Sequence, residues 1–199
     1  MGSDANRLRR KWQDYSLKQA LQVEEDFYVL FQTLFVDTEY EIRSRPSEFR
    51  NIYLNIPLSP SELAAIYNPA IEIKSHGIFP DYAISNHNTN KTIYVEVKRQ
   101  DGWVEGKSRS AGRGNAHERA CKYFTPGLQR ILREAGNLPA DVLPFWTIFQ
   151  GDITRDPCRV REITCWYEGF EGHFFFWRNL SDPAPLIEHF ISQIQPLLD

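Results

Sequence analysis

Residues 79–99 read FPDYAISNHNTNKTIYVEVKR, from Phe79 to Arg99. Two strands and the turn between them account for the stretch. Phe79 to Ser85 is mostly apolar and aromatic. Asn86-His87-Asn88-Thr89-Asn90-Lys91 is turn chemistry, because Asn side chains hydrogen-bond nearby backbone and tolerate left-handed conformations. Thr92 to Lys98 then alternates: Ile93, Val95 and Val97 point one way, and Tyr94, Glu96 and Lys98 the other.

That alternation sets Glu96 and Lys98 side by side, and a hairpin brings Asp81 alongside them. Two carboxylates suit a hard cation such as Mg2+, which takes oxygen ligands. A lysine beside that cation can orient or help deprotonate a water, or neutralise developing phosphate charge. The same alternation describes any half-solvated strand, whose Glu and Lys simply pair at the surface. The rest of the chain must separate these readings.

With 199 residues, the chain is long enough for one domain with a full core. Thirteen Phe, nine Tyr and five Trp can fill that core. No apolar run approaches a membrane span, and the start MGSDANR is not a signal peptide, so neither membrane nor secretion is expected. Three cysteines (Cys121, Cys158, Cys165) without framework spacing suggest free thiols in a reducing compartment. CxxC and HxxxH are absent, which argues against zinc. The net charge of −3 hides an asymmetry. Lys98 to Arg133 holds nine basic residues (Lys98, Arg99, Lys107, Arg109, Arg113, Arg119, Lys122, Arg130, Arg133) against Asp101, Glu105 and Glu118, so this block is +6 and the remainder −9. A basic block directly after the candidate site is the footprint of a polyanion partner, or else a solvated helix face.

Along the chain, the spacing of Trp12, Tyr15, Leu21, Phe27, Leu30, Phe31 and Leu34 predicts one or two helices over Arg7 to Phe35. Glu39 to Leu58 reads as irregular. Ser59-Pro60-Ser61-Glu62 opens a short helix with a capping box. Ile71 to Lys74 reads as a strand, with Glu72 a candidate accessory acid. Asn115 to Phe124 and Leu128 to Ala135 read as helices, the first capped by Asn115 and Glu118. Pro144 to Gln150 is a buried central strand. Arg161 to Tyr167 and His173 to Trp177 read as further strands. Asp182 to Leu198 is a closing helix, with Leu186, Phe190, Ile191, Ile194 and Leu197 on one face. The expectation is a single α/β domain over residues 1–199 with a central mixed β-sheet flanked by helices. Residues 1–78 form a helical scaffold, 79–119 the catalytic and reading core, and 120–199 the remaining sheet and closing helices.

The second motif is Gly112-Arg113-Gly114-Asn115-Ala116-His117-Glu118-Arg119. Its glycines permit close backbone approach, and a helix starting at Asn115 directs free N–H groups outward. Arg suits bidentate contact with guanine, and Asn with adenine, so the stretch looks like a reading head for the major groove. The plainer alternative is a capped helix with surface arginines.

Pro80-Asp81, fourteen residues, then Glu96-Val97-Lys98 resembles the PD-(D/E)xK nucleases, and Gly114 to Arg119 is similar to the GNAxER segment of the EcoRI/MunI-type type II restriction endonucleases. The likeness covers Pro80 to Arg119. It implies the restriction-endonuclease-like fold, with Asp81, Glu96 and the Val97 carbonyl holding Mg2+, and Lys98 positioning the attacking water. It further implies that Gly114, Asn115, Ala116 and Arg119 lie on the DNA, with Asn115, Ala116 and Arg119 reading an inner AATT. Arg113 would read the flanking pair, giving CAATTG and 5′-phosphate ends. A palindromic site implies a homodimer on double-stranded DNA, and the family implies a bacterial cytoplasmic setting. No Walker sequence is present, so no nucleotide cofactor is expected. Two alternatives stay open: a structure-selective repair or junction-resolving nuclease, and a catalytically inactive DNA-binding protein on the same fold.

Overall fold

The computed structural model describes residues 21–68, 70–102 and 117–199. Five strands form one mixed sheet in sequence order: β1 (Tyr40–Ser44), β2 (Tyr82–Asn86), β3 (Lys91–Arg99), β4 (Phe145–Gln150) and β5 (Phe174–Trp177). The first three strands are antiparallel neighbours, and β3–β4 and β4–β5 are parallel. The hairpin at residues 79–99 therefore sits in the middle of the sheet. Asn90 closes its turn at φ 57, a left-handed conformation that Asn tolerates.

Both faces of the sheet are covered. On one, Ile84, Ile93, Val95, Val97, Trp146 and Ile148 pack against Phe27 and Phe31 of helix α1 (described over residues 21–34) and against the C-terminal helices. On the other, Tyr94, Phe145 and Phe149 pack against Tyr123, Leu128, Leu132, Ile163 and Tyr167. These come from a 3₁₀ helix (Glu118–Phe124), helix α3 (Pro126–Ala135), and helix α4 (Pro157–Trp166) with the residue after it. Helix α2 (Pro60–Ala65) stands apart, and its capping box through Ser59 and Glu62 is formed. Among the described residues no helix is long and apolar enough to cross a membrane.

Several elements differ from the sequence reading. Tyr40–Ser44 is a strand inside the stretch read as irregular, and within residues 1–78 read as helical. Its Tyr40 and Ile42 face the core, and it takes the sheet edge beside β2. Ile71 to Lys74 is not a strand; Ile71 and Ile73 are exposed, and the segment pairs with no strand of the sheet. Arg161 to Tyr167 is mostly helix α4, because Asp156 caps it by accepting the Cys158 N–H at 3.1 Å and Pro157 presets its first turn. Ile163 and Tyr167, four apart, are then its inward face. On α1, Leu21 is exposed and Val23 buried instead. Helix α3 starts at Pro126 with Thr125 as its N-cap, two residues before the predicted Leu128.

The closing helix runs as α5 (Ala184–His189), a π-helical turn (Phe190–Ile194) and α6 (Gln195–Leu198). Leu186, Phe190, Ile194 and Leu198 are buried and Ile191 points outward. An α-helix drifts about 40° over each four-residue step, and a wider turn absorbs that drift. Pro196, which lacks an N–H, fits this break. The C-terminal end is tied to the hairpin: Asn86 donates to Asp199 at 3.1 Å and Thr89 to the Leu198 carbonyl at 2.5 Å.

In this layer His189 lies stacked on Trp146, with ring centroids 5.7 Å apart. Burial, helped by His173, lowers its pKa to about 4. A histidine depressed in the folded state contributes stability that is complete above its unfolded pKa near 6.5 and is lost as pH falls toward 4. Chemical denaturation at pH 7 and pH 5 is expected to differ by up to about 2 kcal/mol from this residue. His189→Phe should remove that part of the difference; an unchanged pH dependence in the variant would show that His189 is not its source.

Candidate active site

The register of the hairpin builds the site. Pairing of β2 with β3 ends at Tyr82 and Val95, so β3 continues past its neighbour through Glu96, Val97 and Lys98. The backbone groups of an extended residue that lack a strand partner need another. Asp81, one residue before β2, supplies it: its Oδ2 accepts the Val97 N–H at 2.8 Å. The Asp81 carbonyl in turn accepts the Arg45 N–H at 2.9 Å, which fixes the backbone that carries the carboxylate.

Lys98 closes the arrangement. Its ammonium donates to Asp81 Oδ2 at 2.9 Å and to the Val97 carbonyl at 3.2 Å, and it pairs closely with Glu96 Oε2. Glu96 is only 3% exposed. Its other oxygen accepts the Tyr123 hydroxyl from the 3₁₀ helix. Burial pushes the Glu96 carboxyl above the usual range, against the pull of Lys98. For Lys98, burial pulls downward, but the Glu96 and Asp81 charges outweigh it, so the ammonium is held protonated. Tyr123 is pushed up by burial and by Glu96, which keeps its O–H a donor.

Three oxygen groups therefore converge on one positive charge: two carboxylates and a backbone carbonyl. This is the donor chemistry of a hard divalent cation, and the ammonium shows that the position favours positive charge. Asp81, Glu96 and Lys98, read from sequence, are brought together here, and the Val97 carbonyl is within their reach. Glu96 sits deeper than a half-solvated strand allows, because β3 is central and covered on both faces. Glu72 is exposed in an irregular stretch.

Sequence reasoning missed three groups. Tyr123 read only as part of a helix, and nothing in its spacing marks it. Glu24 on α1 is half-buried; its carboxyl is raised by burial and then by Asp81, against the pull of Lys98, so it belongs to the same electrostatic cluster. His117, in the middle of the second motif, is fully buried. Arg113, Gly114, Asn115 and Ala116 lie outside the described residues. Arg119 is exposed on the 3₁₀ helix, whose N-cap is His117 without a side-chain capping bond, and the box read between Asn115 and Glu118 lies outside the described residues. The basic block is partly neutralised: Arg99 pairs with Asp101, Arg130 with Glu134, and Arg133 donates to the Val142 carbonyl. Arg119 and Lys122 stay exposed.

Residues 1–199 match the family model described as type II restriction enzyme MunI. The chain is 43% identical over 202 residues to the type II restriction enzyme MunI of Mycoplasma sp, with 100% of both chains covered. The crystal structure of MunI restriction endonuclease in complex with cognate DNA matches the fold with a TM-score of 0.79 at 43% identity, covering 91% of this chain and 96% of that one. The likeness extends well past the Pro80–Arg119 motifs to the strands and helices that frame them, and the chain belongs to the MunI family of type II restriction enzymes, site-specific deoxyribonucleases.

Proposed function

We propose that the chain cuts double-stranded DNA at an AATT-centred palindrome, CAATTG, as a Mg2+-dependent homodimer in the bacterial cytoplasm, leaving 5′-phosphate and 3′-hydroxyl ends. The observation that carries this reading is the convergence of Asp81, Glu96 and the Val97 carbonyl on the Lys98 ammonium. These oxygens would hold Mg2+, which when bound supplies positive charge to the phosphate as negative charge builds on it. Lys98 would turn from its carboxylate partners to orient the attacking water, and Tyr123 would keep Glu96 aimed. Water would attack phosphorus in line with the departing 3′-oxygen.

Sequence choice is assigned to Gly114, Asn115, Ala116 and Arg119 for the inner AATT and to Arg113 for the outer pair. The MunI relative's complex with cognate DNA and the exposure of Arg119 support this. A palindrome is read by two copies related by a two-fold axis, hence the dimer.

The test is a digest of plasmid DNA of known sequence with purified protein and Mg2+, followed by sequencing of the ends. Discrete 5′-phosphate ends at CAATTG are expected; a smear, or binding without cutting, refutes the reading. Arg119→Ala and Arg113→Ala should each lose about 1–3 kcal/mol of discrimination, at an inner and the outer pair respectively. Cleavage-rate ratios on singly substituted sites measure this, and unchanged ratios would remove the residue from recognition.

A further inference from the structure

The 3₁₀ helix that carries Arg119 is attached to the catalytic strand and the residue after it at two points. At its start, the His117 ring stacks on Trp166 of α4, with centroids 5.4 Å apart and planes 13° apart, and its Nδ1 lies 3.2 Å from Gln100 Oε1. Glu162 Oε2 is 3.3 Å from Nε2. Burial, then Arg159, lowers the His117 pKa. Gln100 is itself held, donating its N–H to the Gln150 carbonyl and accepting from the Ile153 N–H, both at 3.1 Å. At the other end, Tyr123 donates to Glu96.

From Glu118 to Phe124 the chain runs as seven residues of 3₁₀ helix, longer than the three or four that such helices usually reach. The lengths explain it. From His117 to Tyr123 a 3₁₀ helix rises about 12 Å at roughly 2.0 Å per residue. From Glu96 to Gln100 an extended chain spans about 13 Å at roughly 3.3 Å per residue. An α-helix over the same six steps would rise only about 9 Å, roughly 4 Å short of that span.

We propose that His117 and Tyr123 are positioning residues that clip the 3₁₀ helix carrying Arg119 in register along β3, so that Arg119 and the Glu96 carboxylate move together. Recognition and catalysis are coupled through this rigid strut: an Arg119 displaced by a wrong base pulls Glu96 away from its working position. The inference rests on the reading of Arg119 and its neighbours as base-contacting.

His117→Phe keeps the stack on Trp166 and loses the Nδ1 bond; Tyr123→Phe loses only the hydroxyl. In gel shifts without metal, His117→Phe should narrow the affinity ratio between CAATTG and singly altered sites by about fivefold or more. Tyr123→Phe should bind CAATTG within about twofold of wild type, cleave it about tenfold more slowly, and need more Mg2+ for half-maximal rate. In a double-mutant cycle on the cleavage rate the two changes should not add, since either one frees the strut. His117→Asn, whose amide can still donate to Gln100, should recover part of the lost discrimination. Additive effects, or both single variants within about twofold of wild type in rate and discrimination, overturn the clip. If His117→Phe fails to fold, Tyr123→Phe decides by its split between affinity and rate. Arg119→Ala separates the premises: unchanged selectivity there overturns the base-reading role and the clip with it, whereas lost selectivity alongside wild-type behaviour of the two clip variants overturns the clip alone.

Discussion

Asp81→Asn is expected to lower the rate of DNA cleavage at least about a thousandfold while leaving the protein folded and able to bind DNA. The asparagine carbonyl can still accept the Val97 N–H, so the backbone bond that seats residue 81 beside β3 survives. What is lost is the negative charge facing Lys98 and the cation that would replace its ammonium. Each tenfold in rate corresponds to about 1.4 kcal/mol, so a thousandfold asks about 4 kcal/mol of the missing carboxylate, which is within what one charged group supplies at a dry, preorganised site. Single-turnover cleavage with saturating protein and Mg2+ measures it. Cleavage within tenfold of wild type would take Asp81 out of the mechanism.

The second large effect falls on stability as well as activity. Lys98→Ala leaves Glu96 buried without its cation, and removing one member of a buried pair costs about 3–5 kcal/mol. Urea unfolding without metal should show a loss of that order, together with loss of cleavage. Two controls follow from the same cause. Glu96→Gln added to Lys98→Ala should restore most of the stability, because the neutral amide no longer needs a counter-charge, and should remain inactive. Mg2+ should raise the melting temperature of Lys98→Ala more than that of wild type, since the ion no longer has to displace an ammonium. A Lys98→Ala variant as stable as wild type without metal would mean that the pair is not what keeps Glu96 buried.

The convergence of Asp81, Glu96 and Lys98 was legible because all three lie on one hairpin. Period-two alternation fixes which side Glu96 and Lys98 share, and the hairpin turn brings Asp81 back to them, so three side chains seventeen residues apart are placed by local rules. Phe145–Gln150 was legible too, as a continuous apolar run with breakers on both sides. The errors fell where short apolar patterns fit two periods. Arg161 to Tyr167 alternates like a strand, and only the Asp156 cap and the four-residue spacing of Ile163 and Tyr167 against the sheet make it helix. Tyr40–Ser44 was hidden because a five-residue edge strand gains its order from its neighbour β2 rather than from its own sequence.

The sequence by itself determined the central hairpin, the acidic pair with its lysine, and the family those motifs resemble, all consequences of spacing within a single stretch of chain. Only the tertiary structure decided that β3 is covered on both faces, that Tyr123 holds Glu96, that Glu24 shares the same charge cluster, and that His117 reaches Gln100. Each of those contacts joins segments from different elements of the fold. They depend on how helices and sheet pack, and a one-dimensional pattern carries no record of the packing.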